Sequence, residues 1–163
     1  MSNQDPQHIY HYAIDAFGNW TCEGNPVTEQ ELVRILSRSI FMEGGNYFIR
    51  CEGEVHPVQV ADAPLWVHCV HVKTNSKGDL QHVEIELEDG RRELLDGETL
   101  TVVQNQALYC LATPRRLKAR FGKLAYYELT QYLQMDENGE EFYFVIAGRR
   151  YNIEKESEKG APA

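Results

Sequence analysis

The chain has 163 residues, room for one domain or two small modules sharing a core. Hydrophobic residues make up 42% and charged residues 25%, which excludes wholesale disorder. A net charge of −9 repels nucleic-acid backbones and argues against a nucleic-acid polymer as partner.

No run is apolar enough to span a bilayer. The polar start from Met1 to Pro6 lacks the regions of a signal peptide, so a cytoplasmic protein without a membrane partner is expected. Residues up to Gln7 read as a loose terminus. His11 to Asp15, a turn at Phe17-Gly18-Asn19, and Trp20 read as a strand, a turn and a short return strand. Thr28 and Glu31 have the spacing of a capping box. The helix behind it places Leu32, Val33, Leu36, Ile40 and Phe41 on one face and ends at Gly44-Gly45. Strands follow over 46–51 and 55–60, joined at Glu52-Gly53.

Asp62-Ala63-Pro64 breaks the pattern. A second hairpin spans 65–73 and 80–88 around Asn75 to Asp79, and short strands fit 91–95, 99–103 and 107–111. A second helix is predicted from Gly122 to Met135, with Leu124, Tyr127, Leu129, Tyr132 and Leu133 as its apolar positions. A closing hairpin over 142–147 and 150–154 turns at Gly148-Arg149. Cys22, Cys51, Cys69 and Cys110 form no C-x-x-C pair and are expected as reduced, mostly buried thiols.

The expected class is α+β. Helix, Gly turn, aromatic strand, Gly turn, strand recurs over 28–60 and 122–153, which suggests two similar helix-plus-antiparallel-hairpin modules packed together. The modules are placed at 8–64 and 65–155, with a disordered tail over 156–163. A ligand would sit at the seam of such copies.

Six features in order carry a resemblance. They are Gly18-x-Trp20, Gly24-x-Pro26 before the first helix, Tyr47 in a strand, Glu54, Val60-x-Asp62-Ala63-Pro64, and Ala119-Arg120-Phe121 opening a Tyr-rich helix. Together they resemble the bacterial "domain of unknown function 1285" family over roughly residues 9–155. The chain departs from the family pattern at Cys51-Glu52, where Thr-Pro is usual. The resemblance implies a duplicated α+β fold with a second half similar to a pleckstrin-homology-like sheet. It also implies a nucleotide-like ligand between the halves and a role in signalling, with no established reaction.

Charge is the strongest signal read from the residues themselves. Arg115, Arg116, Lys118, Arg120 and Lys123 lie together with no acid among them, and without them the remainder carries −14. Such a patch attracts a small anion locally. It leads into a helix start with no capping residue, where a phosphate could satisfy the bare N–H groups. Ion pairs with the many carboxylates are the competing reading. The candidate ligand residues are Arg120, Arg116, Lys123, Asp62, Trp20 and Glu54. Asp62 serves equally as an Asx-type turn ahead of Pro64. Trp20 and Trp66, with Tyr47 and Tyr126, could stack on a planar base or fill a core.

Cys69 and His71 share a strand face, but two ligands do not close a zinc site, so no metal or other cofactor is expected. Glu84, Glu86 and Glu88 read as a solvated strand face. No Walker, Rossmann or nucleophile-elbow motif occurs, so no catalytic residue is assigned. Three functions fit. One is a module for a small anionic, nucleotide-like ligand; another is a protein–protein adaptor. The third is an enzyme of unrecognised type using Asp62, Glu54 or His56.

Overall fold

A computed structural model of the chain describes residues 8–104 and 106–156. The loose terminus expected up to Gln7 and the tail from residue 157 lie outside the described residues. The fold is α+β, mostly sheet with two helices, and divides into two compact units between Pro64 and Leu65. No described helix is long and apolar enough to cross a membrane.

The first unit is a six-stranded sheet with one helix. Strands β1 (Tyr12–Ile14), β2 (Trp20–Cys22) and β3 (Asn25–Pro26) precede helix α1 (Gln30–Ser39). Strands β4 (Ile40–Glu43), β5 (Asn46–Cys51) and β6 (Glu54–Val60) follow it. The order is β3-β2-β1-β6-β5-β4, antiparallel except for the parallel pair β1–β6. Asp15 sets the first turn, its carboxylate accepting from the N–H groups of Phe17 and Asn19 at 2.9 Å each. Ile14, Trp20, Leu36, Ile40, Ile49 and Val58 form the core of this unit.

Two expectations fail here. The helix starts at Gln30 with Glu29 as its N-cap and no side-chain cap, so Thr28 lies one residue too early for the capping box. The helix also ends at Ser39, and Ile40 and Phe41 belong to a strand. The Phe41 ring meets that of its cross-strand partner Phe48 at 5.8 Å. Gly44 and Gly45 both take positive φ (60° and 81°), the conformation of a two-residue hairpin turn, and so join two strands.

The second unit holds a seven-stranded and a three-stranded sheet. Strands β7 (Leu65–Thr74) and β8 (Leu80–Leu87) form the long hairpin, and β9 (Arg92–Leu94) extends it. A 3-10 turn (Gly97–Thr99) leads to β10 (Thr101–Val103), β11 (Ala107–Ala112) and β12 (Leu117–Phe121). Helix α2 (Lys123–Thr130) precedes β13 (Gln134–Met135), β14 (Phe142–Ile146), β15 (Arg149–Asn152) and β16 (Glu154–Glu156). The large sheet runs β16-β10-β11-β12-β7-β8-β9, with β10–β16 and β12–β7 parallel. The small sheet is β13-β14-β15. Glu156, expected in the tail, pairs with Val103.

The second helix is half its expected length. Ala125 and Leu129, four residues apart, are its buried positions, whereas Leu124 and Tyr127 are exposed. The small Ala125 makes the contact because α2 packs against β7 and β12, where Gly122 donates its N–H to the Val67 carbonyl at 2.9 Å. Asp89 is fully buried in the turn after β8 and is neutralised by Arg91, whose Nε donates to its carboxylate at 2.7 Å. No cysteine is bonded to another; Cys110 is buried, and Cys22, Cys51 and Cys69 are half-buried.

Gly97 lies under the Tyr151 ring, and a Cβ there would come within 2.6 Å of it. Gly97→Ala is therefore expected to cost about 2 kcal/mol by overpacking, read as a lower urea midpoint with circular dichroism unchanged. Burial, with smaller contributions from Glu93 and Asp96, pushes the Cys110 thiol up to about 12 from its ordinary 9.0. The stability tied to this neutral thiol is whole below pH 9 and is lost as pH rises toward 12, because the unfolded chain ionises first. Cys110→Ala should give a shallower fall in urea midpoint between pH 9 and 11 than the natural chain.

Candidate functional site

The five clustered cations sit on and around a strand. Leu117-Lys118-Ala119-Arg120-Phe121 alternates, with Leu117, Ala119 and Phe121 buried on one face and Lys118 and Arg120 on the other. Arg115 and Arg116 occupy the turn before β12, and Lys123, exposed, is the first residue of α2. The basic run leads into the start of α2, where Gly122 is the N-cap and no side-chain cap is made. The period of two carries Lys118 and Arg120 onto one face of the strand before it.

Neighbouring strands supply their surroundings. Tyr109 of β11 is the cross-strand partner of Arg120, and Trp66 of β7 is its partner on the other side. The Arg120 guanidinium lies 5.3 Å from the Trp66 ring and 5.8 Å from the Tyr109 ring. Lys118 Nζ lies 4.3 Å from the Tyr109 ring. The row Tyr109, Arg120, Trp66 is a cation held between two aromatic faces, an attraction that strengthens out of water. The Trp66 indole N–H is buried and meets no acceptor among the described residues.

Beside this row lies a cleft of about 480 Å³, within the second unit. Arg116 and Lys118 bring positive charge to it, Glu98, Glu154 and Glu156 negative charge, and Thr99, Thr101 and Tyr109 stand among its walls, whereas Lys155 places its ammonium over the Phe142 ring, 5.9 Å away. The acids are partly engaged: Glu98 pairs with Arg149. Arg116 stands 3.8 Å from the Asp96 carboxylate, both largely exposed. Such a pair contributes about 0–1 kcal/mol and yields readily to a competing anion.

The six residues singled out by sequence are divided between the units. Trp20, Glu54 and Asp62 belong to the first. Trp20 is only 2% exposed and packs edge-on to Tyr12, so it is a core residue with no face open to a base. Glu54 stands on β6 with its carboxylate 3.8 Å from His56 Nε2. Asp62 lies in the bend that follows β6. Arg116, Arg120 and Lys123 belong to the second unit. Of these, Arg116 lines the cleft, Arg120 borders it through their shared neighbour Tyr109, and Lys123 stands apart.

Sequence reasoning missed Tyr109, Glu154, Glu156 and the two threonines. Tyr109 reads as one more apolar residue of a strand, and its role appears only once β11 and β12 are in register. Glu154 and Glu156 reach the cleft because β16 pairs in parallel with β10, a contact no local pattern marks.

No protein-family model and no curated protein matches the chain. Two solved structures do, both crystal structures of DUF1285 family proteins. The one from Silicibacter pomeroyi DSS-3 has a TM-score of 0.71 and 18% identity, over 88% of this chain and 79% of its own. The one from Shewanella baltica OS155 has a TM-score of 0.57 and 20% identity, over 74% of this chain and 90% of its own. The likeness agrees with the motif order read from the sequence, and the fold adopted by this chain is that of the DUF1285 family proteins.

Proposed function

We propose that the second unit binds a small anionic, nucleotide-like molecule in the cleft beside β12, in a signalling rather than a catalytic role. The observation that supports this most is the placement of Arg116 and Lys118 on one wall of a 480 Å³ cleft, with Glu154 and Glu156 on another strand of it. Phosphate oxygens accept hydrogen bonds and match Arg and Lys. Ribose hydroxyls and base amines donate, and match carboxylates. A molecule with both ends suits a cleft whose charge is divided in this way. Arg120 sits behind the cleft and braces Tyr109, the ring on which Lys118 rests.

The same helix-then-three-strands order, α1–β4–β5–β6 and α2–β13–β14–β15, supports an origin by duplication. In that reading the second copy gained the large sheet, where the pleckstrin-homology-like character would lie.

Thermal shift with nucleoside monophosphates, nucleoside diphosphates and inorganic phosphate tests the proposal. At 100 times Kd a ligand adds about 2.7 kcal/mol, a rise of several degrees in Tm. A nucleotide is expected to raise Tm more than phosphate does, and the doubly substituted Arg116→Ala, Lys118→Ala chain should lose the rise. No shift with any of these compounds, or an equal shift in the doubly substituted chain, overturns the proposal and leaves the adaptor reading in its place. Arg120→Ala, by contrast, is expected to lower the ligand-free Tm, because it removes stacking of about 1–2 kcal/mol from Trp66 and Tyr109.

A further inference from the structure

The seven-stranded sheet carries a second group of functional side chains, independent of the cleft. On β7 the chain alternates so that Val70 and Val72 pair with Ile85 and Val83, while Cys69 and His71 pair with Glu86 and Glu84 on the opposite face. A register shift between Val67 and Cys69 precedes this stretch and sets which residues share that face. The result brings three different ligand types together. Cys69 Sγ lies 3.6 Å from His71 Nε2, and the same Nε2 lies 2.9 Å from Glu86 Oε1. All three ligand atoms lie within 4.8 Å of one another.

We propose that Cys69, His71 and Glu86 bind a divalent cation of the zinc class through Sγ, Nε2 and Oε1, with water as the fourth ligand. Zinc bond lengths place S and N ligands of a tetrahedron about 3.5 Å apart, and N and O ligands about 3.3 Å apart. The sulfur–nitrogen distance already matches. The nitrogen–oxygen pair needs to open by a few tenths of an ångström, as its hydrogen bond gives way to the metal. The set of one thiolate, one imidazole and one carboxylate selects zinc-class metals over magnesium or calcium, which require oxygen ligands.

Charge supports the same assignment. Cys69 lies within the field of both Glu86 and the α2 carboxylate of Glu128, so its surroundings are negative. The nearby cation Arg92, the cross-strand partner of Glu86, acts on Cys69 with the opposite sign, and its guanidinium pairs with Glu84 at 3.1 Å. On binding, the Cys69 thiol gives its proton to solvent. Thiolate and carboxylate then neutralise the dication, and His71 stays neutral. The adjacent acids thus favour the metal-bound state over the free thiolate.

Cobalt(II) titration of the full chain provides the test, because a thiolate ligand gives a charge-transfer band in the near ultraviolet and four-coordinate cobalt gives strong visible bands. One cobalt per chain with both signatures is expected, displaced by zinc. Cys69→Ser should abolish the charge-transfer band, while His71→Ala and Glu86→Gln should each weaken zinc binding by about tenfold or more. Zinc calorimetry in two buffers of different ionisation heat should report about one proton released. All three side chains are at least partly exposed, so the variants should keep the natural circular dichroism spectrum. Absence of the charge-transfer band in the natural chain, or its persistence in Cys69→Ser, overturns the assignment. Nucleotide binding in the cleft is measured separately and does not depend on either result.

Discussion

The period of two along β12 is the constraint on which the second unit depends. β12 is the middle strand of the seven-stranded sheet, so both of its edges are paired and it cannot slip by one residue without turning Leu117, Ala119 and Phe121 out of the core. Fixing those three inward fixes Lys118 and Arg120 outward. The neighbours then decide what the cations meet. β11 supplies Tyr109 and β7 supplies Trp66, and the cations lie over aromatic faces. Apolar burial thereby orders a charged surface, at a place where an acidic chain would otherwise have little reason to gather positive charge.

Much of this was legible in the sequence where the signal is local. Glu52-Gly53 and Asn75 to Gly78 mark hairpin turns because few other residues take the φ values required at their glycines, and both turns are present. What misled was periodicity read over too short a span. Leu36 and Ile40 are four apart, which suits a helix, yet Ile40 is the first residue of a strand. Both assignments bury Leu36 and Ile40, so burial pattern alone does not separate them. β12 was hidden for a different reason. Its alternation is plain, but two of its five residues are basic, and charge drew the eye to the following helix start.

Parallel pairing accounts for the remainder. β12–β7 and β10–β16 join segments about fifty residues apart, and no turn announces them. The sequence of β16, Glu154-Lys155-Glu156, is wholly polar and reads as the last residue of the closing hairpin, Glu154, running into a tail at Glu156. It is a strand because its backbone pairs with β10. A cleft walled by such a strand can be found only after the sheet is assembled, and so Glu154, Glu156 and Tyr109 escaped while Arg116 and Arg120 did not. The third ligand near Cys69 and His71 escaped likewise. Glu86 sits among alternating glutamates that read as a solvated face, and only the β7–β8 register brings its carboxylate to the imidazole.

One face of one sheet therefore carries two regions of opposite character, and their separation has a physical basis. The cations belong to β12 and the turn before it, whereas the carboxylates of Glu84 and Glu86 belong to β8, with β7 between them. Two strand spacings amount to roughly 10 Å, about the screening length of physiological salt. At that distance salt weakens the attraction between the two regions. Trp66 on β7 lies between them, its ring 5.3 Å from the Arg120 guanidinium. On the far side, Arg92 of β9 is taken by Glu84 rather than by Glu86. Strand register thus sets the two groups on separate strands of a single sheet, with an aromatic side chain between them.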